Sequence, residues 1–530
     1  LATKEDGIGP DIWLLGLSFI EVASIAAAVE LIVGALKCRP PGMRVNIMPL
    51  YAWYVMVVGG MILFAFPPLI AGDFLFELER SFDWPFFDPT RGGDPILWQH
   101  LFWIFGHPEV YIVFLPSIAI ASMIVPTVAR RPIVGYSWIV LSAVGTGFLS
   151  FGLWVHHMFT TGLPQISLGF FSAASEAVVI PTGIQLFAFV ATLMVGRVKM
   201  SLPMLWIAGA LAIFVAGGLT GVMLAIVPFN WQVHDTYFIV AHLHYTLFGG
   251  MVFPVLAGVY YFYPFLRKKL LSETLGRWAF WLIFTGFNVT FLPMHLTGLK
   301  GMPRRVFTYP ESSGWGWLNL ISTIGAFVIA AGFAVFLYDL LRSKKDQPQI
   351  PRNPWGAGTL EFSHEVPAEA WGVRSVPYIH SRYPLWDQPQ LTERMDAGRF
   401  YLQDAPEHHR DFGDRRHADV CAACHWPGVD NPVSGIFHWR GVHFSDVSHL
   451  HTRYNFRRIR HRLCAVLVMD IHGAAPQGRN ARSGFGIAPA DLCVRPGFRR
   501  VVGDVDHHAG RCHGFCIIDI RVLLLLDGAT

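Results

Sequence analysis

Apolar and polar residues are segregated along the first two thirds of the chain into nine long apolar stretches with short polar connections. The stretches run roughly over 12–36, 50–76, 97–125, 135–159, 173–196, 203–228, 236–265, 278–299 and 316–341. Each holds the ~20 apolar residues that a helix needs to cross ~30 Å of hydrocarbon. The pattern predicts an all-α, multi-pass integral membrane protein with nine transmembrane helices. The connections alternate in charge. Lys37, Arg39 and Arg44 follow the first stretch, Arg130 and Arg131 the third, Arg197 and Lys199 the fifth, Arg267, Lys268, Lys269 and Arg277 the seventh, and Arg342, Lys344 and Lys345 the ninth. By the positive-inside rule these ends face the cytoplasm and the chain starts outside. The acidic loop with Glu77, Glu79, Asp83, Asp88 and Asp94 then lies on the outer side. One connection breaks the rule: Lys300, Arg304 and Arg305, in KGMPRR, also lie outside, and guanidinium forks there suggest a bound anion.

Composition agrees with the pattern. Of 530 residues, 53% are hydrophobic and 14% aromatic, well above soluble norms. A net charge of +4 gives no reason to expect a nucleic-acid partner. Six of the seven cysteines follow residue 420, so no disulfide framework is expected in the membrane part. The chain opens with Leu1 and no signal-peptide pattern, and reads as a fragment. Three regions are expected: a membrane core at 1–350, a proline-rich cytoplasmic extension at 351–407, and a tail at 408–530. No lysine follows Lys345 and no glutamate follows Glu407, while arginine, histidine and cysteine become frequent. That composition is foreign to ordinary domains and is what an out-of-frame reading of a GC-rich gene would produce. Cys421-Ala422-Ala423-Cys424-His425 matches the c-type haem attachment pattern. Attachment requires the outer compartment, whereas nine spans leave this tail inside, so accidental sequence or a weak metal site is preferred to a haem c.

Titratable residues inside the stretches are the informative ones, because lipid makes them costly. In WQHLFWIFGHPEVY, Trp98 to Tyr111, His107 and Tyr111 lie one turn apart on one helix face and Glu109 points elsewhere. An imidazole suits copper or iron, and a phenol beside it can supply a proton or an electron. A lone histidine on such a helix is ordinarily a hydrogen-bonded core residue. His156 and His157 in WVHHMF come as a pair about 100° apart, so both rings can reach one metal at the helix edge, and with His107 they would form a three-histidine site. In HDTYFIVAHLHY, His242 and His244 differ by about 200° around the axis. They imply two centres flanking one helix, most economically two haems; the bland reading is two hydrogen-bonded core histidines.

Together GHPEVY, WVHHMF, HDTYFIVAHLHY and GMPRR resemble subunit I of the haem-copper terminal oxidases, of the A-type cytochrome c oxidase kind, from about residue 10 to about 395. The resemblance implies that His107, His156 and His157 ligate copper B and that His107 is covalently linked to Tyr111. It makes His242 the axial ligand of the high-spin haem and His244 an axial ligand of the low-spin haem. Arg304 and Arg305 would hold haem propionates, and His234 and Asp235 would bind magnesium at the interface with subunit II. Glu109 resembles the branch-point glutamate that passes protons onward. The implied reaction is reduction of dioxygen to water with proton uptake from the cytoplasm, in a bacterial inner membrane and with subunits II and III as partners. Two haems are expected, haem A being the family-like type, with electrons from cytochrome c or, alternatively, quinol.

Departures from the family pattern set further expectations. The nine spans match helices four to twelve of a twelve-helix core. The absent three would carry the second low-spin haem histidine and an aspartate of one proton path; no histidine precedes His100. Where the family usually has lysine, this chain has Gln185, with Thr182, Ser122 and Tyr111 along the same proton route. An amide can hydrogen-bond but cannot carry a proton charge. Two rivals stand beside the oxidase reading. A nitric oxide reductase shares the histidines but lacks the tyrosine of GHPEVY, and a polytopic transporter would give no reason for three convergent histidines plus HLH; an inactive haem-binding fragment is the further alternative.

Overall fold

The computed structural model describes residues 7–267, 269–342, 350–364 and 375–399, with the backbone of 401–402. The tail from 408 onward, including Cys421 to His425, lies outside the described residues. Twelve helices carry the membrane part: α1 (Gly9–Lys37), α2 (Leu50–Phe82), α3 (Pro95–Ala129), α4 (Tyr136–Ser150), α5 (Gln165–Ala177), α6 (Val179–Val195), α7 (Leu202–Ala225), α8 (Val227–Val233), α9 (Tyr237–Leu243), α10 (Phe253–Arg267), α11 (Glu273–Leu299) and α12 (Gly316–Leu341). Among the described residues, eight helices are long and apolar enough to cross a membrane, with α5–α6 and α9–α10 each counting as one.

The expected fourth span, 135–159, differs from the rest. Its α-helix is α4, only 15 residues, and the chain then re-forms as a 3₁₀ turn over Trp154–Met158. At 1.5 Å per residue α4 rises about 22 Å, so the histidines sit on a separate tighter turn. The fifth span has an early break with a local cause. Pro181 has no N–H to donate to the Ala177 carbonyl, and α5 ends at Ala177. In the seventh, a π-helical stretch over His244–Val252 joins α9 to α10, a widening frequent at functional sites.

Burial ranks the helices. The most apolar window of α3 is 89% buried, against 11% for α1, so α3 runs through the middle of the bundle. Asp94 caps it by accepting from the Ile96 N–H (2.8 Å), with Pro95 at its first position. Close helix contacts rest on small residues, as membrane packing favours. A Cβ on Gly286 would fall 2.8 Å from the Ile329 nitrogen, so glycine there lets α11 and α12 touch backbone to backbone.

The extension binds the ends that carry the basic clusters. The Trp355 indole donates to the Tyr261 carbonyl (2.8 Å) and Arg130 donates to Gly356 O (3.0 Å). The Ile379 N–H reaches Pro41 O (2.8 Å), and Arg382 stacks over the Tyr136 ring at 3.6 Å. The ends near Arg39, Arg130 and Arg267 therefore share one side. At the other end Arg80 pairs with Asp11 (2.5 Å), and the GMPRR loop meets the start of α9. Short helices α13 (Pro384–Asp387) and α14 (Leu391–Asp396) follow, and strands β1 (Ser375–Val376) and β2 (Tyr401–Leu402) pair antiparallel.

Candidate metal and haem centre

Helix α3 supplies the first ring. His107 is buried, and its ring centroid lies 4.9 Å from that of Tyr111, one turn on. The 3₁₀ turn after α4 brings up the other two. Trp154 anchors that turn by donating to His100 Nδ1 (3.2 Å), and Trp103 of α3 stacks on His157 at 3.9 Å and 7°. Ser175 donates its hydroxyl to Phe171 O (2.6 Å), which leaves its oxygen to accept from His156 Nδ1 (2.8 Å). That bond directs the Nε2 lone pair of His156 inward. His107 Nδ1 then lies 3.2 Å from His157 Nε2, which lies 3.1 Å from His156 Nε2. One nitrogen from each of the three lies within 4.8 Å of the others.

This donor set fits a metal ion. Imidazole–metal bonds of about 2.0–2.1 Å at angles of ~90–110° separate ligand nitrogens by ~2.8–3.4 Å. Both short contacts fall in that range. Without an ion, His157 Nε2 would face two other ring nitrogens with a single proton or lone pair to offer. Three imidazoles suit copper, iron or zinc.

The two histidines around α9 face different neighbours. His242 Nδ1 lies 3.1 Å from Gly217 O and 3.0 Å from Thr220 Oγ1, both on α7. Donation there leaves Nε2 free to ligate. Gly217 permits the approach, since a Cβ on it would fall 2.9 Å from the Thr246 nitrogen, and a Cβ on Gly221 would fall 3.0 Å from His242 Cε1. His244 instead donates from Nδ1 to Val240 O (2.8 Å) and stacks on Phe291 of α11 at 4.0 Å and 16°. Each ring thus has one nitrogen satisfied by backbone and one free, as an axial haem ligand requires.

The GMPRR loop is zipped to the turn before α9. Arg304 N–H donates to Asp235 O (2.7 Å), Tyr237 N–H donates to Met302 O (3.0 Å), and Thr236 bridges Pro303. Asp235 takes φ +52° and Arg305 φ +65°. The Asp235 carboxylate receives Arg304 at 3.3 Å and lies 3.9 Å from Arg305. His234 sits beside it, 3.3 Å from Asn230 Oδ1, and burial holds its imidazole below the ordinary range against the pull of Asp235.

The residues expected on the proton path are placed differently from one another. Glu109 Oε2 is buried with no hydrogen-bond partner among the described residues. Ser122 and Thr182 turn their hydroxyls back to Ala119 O (2.6 Å) and Val178 O (3.0 Å). Gln185 instead meets Tyr54, whose hydroxyl donates to Oε1 at 2.7 Å, while Nε2 donates to Pro181 O (3.2 Å) and Thr146 Oγ1 (3.4 Å). Tyr54, Thr146, Ser175 and Thr220 were not legible as supporting residues. Each lies in an apolar run where one hydroxyl carries no positional signal.

A sequence model described as cytochrome c and quinol oxidase polypeptide I matches residues 2–328. The chain belongs to that family. Cytochrome c oxidase subunit 1 of Bacillus subtilis (strain 168) is 43% identical over 391 residues, covering 74% of this chain and 63% of that protein. The Bacillus sp. (strain PS3) subunit is 42% identical over 379 residues, 71% of this chain and 62% of the relative. That of Corynebacterium diphtheriae is 40% identical over 393 residues, 73% and 69%. The chain therefore spans less than two thirds of the length of the two Bacillus relatives. A solved heme-copper terminal oxidase dimer shares the fold at TM-score 0.50 and 20% identity, over 66% of this chain and 63% of that one. Membership of the oxidase family and the eight apolar helices make this an integral, multi-pass membrane protein.

Proposed function

We propose that this chain is the catalytic subunit of a respiratory terminal oxidase that reduces dioxygen to water at a haem-copper centre and translocates protons. The observation that carries the reading is the convergence of one ring nitrogen from each of His107, His156 and His157 within 4.8 Å of the others. His107, His156 and His157 would hold copper B, His242 the high-spin haem, and His244 the low-spin haem. When bound, these groups supply the electrons and the oxygen-binding position.

The chain's own residues do the rest. Gly217 and Val240 carbonyls fix the tautomers of His242 and His244, and Ser175 fixes that of His156. Tyr111 holds a proton at its phenol oxygen one turn from His107, and a covalent link between them would join rings already adjacent. The stacked Phe114 and Phe214 rings (4.5 Å) fasten α3 to α7 with apolar surface. Glu109 holds a proton in transit. Arg304 and Arg305 bind haem propionates, and His234 and Asp235 a magnesium ion shared with subunit II. Cytochrome c is the donor, haem A the haem type, and subunits II and III the partners.

The test is substitution of His156 or His157 by alanine in the assembled oxidase. Copper content and oxygen consumption should both be lost while the chain remains in the membrane. Full copper and turnover in both variants would exclude the reading.

A further inference from the structure

The extension lends a carboxyl group to a cleft at the basic end of the bundle. This open cleft offers about 20 Å³ to water, room for a single molecule, and its polar lining is Ser122 of α3, Tyr136 of α4, and Thr359, Arg382 and Tyr383 of the extension. Ser122 is the residue expected on the proton route. Directly behind Thr359 sits Glu361, 3% exposed. Tyr261 of α10 donates to its Oε1 at 2.9 Å, and the Thr359 hydroxyl is within hydrogen-bonding reach of the same carboxyl. Thr127 of α3 lies 3.4 Å from the Tyr261 oxygen.

The side chains that bond to Glu361 are the hydroxyls of Tyr261 and Thr359, its own backbone N–H adding a third contact, and no ion pair to it occurs among the described residues. The titratable and charged groups facing the site are Tyr261 on α10, Arg130 at the end of α3, and Tyr383 in the extension, with Arg382 on the cleft lining. Arg130 donates to Gly356 O, and Arg382 donates to Asn46 O while stacking on Tyr136. Burial pushes the Glu361 carboxyl above the ordinary carboxylate range. A group meant only to fasten the extension needs no titratable proton, since an amide would accept the same two bonds.

We propose that Glu361 is a proton-loading site at the cytoplasmic mouth of the route that begins at Ser122. A hydronium ion entering the cleft from the cytoplasmic side protonates the Thr359 oxygen as the Thr359 hydroxyl proton passes to the Glu361 carboxylate, leaving water in the cleft and a neutral Thr359. The reverse transfer releases a proton to cleft water beside Ser122. The destination of that proton rests on the oxidase reading. Loading at the mouth also suits a chain whose Gln185 cannot itself carry a proton.

The experiment uses the assembled oxidase with Glu361→Gln, Thr359→Val and, as a route control, Gln185→Leu. Infrared spectra titrated with pH should show a protonated-carboxyl band that Glu361→Gln removes and Thr359→Val keeps. Stopped-flow reduction of the high-spin haem should slow by up to about a hundredfold in Glu361→Gln and lose its pH dependence, as for a missing proton-transfer group; Thr359→Val should slow it likewise. Unchanged rate and pH profile in Glu361→Gln, with Gln185→Leu slowed, would reduce Glu361 to a fastener and overturn the proposal. Should the parent enzyme lack haem and turnover, the oxidase reading fails on its own, and the infrared titration still decides whether Glu361 takes up a proton.

Discussion

Replacing Tyr54 by phenylalanine tests the pairing that holds Gln185. Tyr54 is fully buried on α2, and its hydroxyl donates to Gln185 Oε1 at 2.7 Å across 131 residues of sequence. Tyr54→Phe deletes one oxygen and leaves the Gln185 carbonyl oxygen without its donor. Gln185→Leu leaves the Tyr54 hydroxyl without its acceptor and takes the amide donor from Pro181 O and Thr146. An orphaned buried polar group costs about 1–3 kcal/mol in water-soluble proteins. In membrane proteins the coupling is smaller, averaging ~0.6 and reaching ~1.7 kcal/mol, because the reference state also finds partners. Tyr54 and Gln185 are both buried where lipid supplies no substitute, so the pair belongs near the upper end, about 1–1.7 kcal/mol of coupling.

The assay is a double-mutant cycle. Wild type, Tyr54→Phe, Gln185→Leu and the double variant are unfolded from mild detergent by titration with a denaturing one, following helix content. The double variant removes both polar partners and should cost less than the sum of the singles by about 1–1.7 kcal/mol. Singles that add to within about 0.3–0.5 kcal/mol would show two independent groups and refute the pairing.

Three further outcomes are expected. In the assembled oxidase, Gln185→Lys should be tolerated because the Tyr54 oxygen can accept from an ammonium, whereas Gln185→Leu should slow reduction of the high-spin haem far more than of the low-spin haem; equal rates by stopped flow would make position 185 structural. Reporter fusions after Arg131 and Lys199 should report cytoplasm and a fusion after Arg305 the outer face; an inner report at Arg305 would remove the propionate role of that loop. His364, beside Phe265, is held down to about 4 from an ordinary 6.5 by burial first and Arg352 second. The unfolded chain then binds the extra proton, so docking of the extension is strongest above pH 6.5 and weakens as pH falls towards 4. His364→Leu should remove that part of the acid sensitivity in limited proteolysis of the extension, and an unchanged pH profile would refute the assignment.

Spans were legible because twenty apolar residues have few other uses, and chemistry was legible where a residue type is too costly in lipid to be incidental. His107, His156, His157, His242 and His244 all stood out on that ground. Geometry within a span was less legible. The sequence reading put His156 and His157 on a continuous helix, whereas they lie on a 3₁₀ turn after α4. Pro181 did announce the α5–α6 break, and could have been read as such.

What escaped the sequence is the layer of hydroxyls that orients the costly groups. Ser175, Thr220, Tyr54 and Thr359 each make one bond whose meaning depends on a partner 19 to 131 residues away or on a cleft. A hydroxyl in a membrane helix can also satisfy itself on its own turn, as Ser122 and Thr182 do, so its presence predicts nothing by itself. Glu361 illustrates the same limit for a charged residue. In a polar, proline-rich stretch a glutamate is unremarked, because solvent normally surrounds it. Only when Trp355, Phe362 and Tyr261 close around it does the carboxyl become as costly as one inside the membrane, and that enclosure is a property of the folded chain alone.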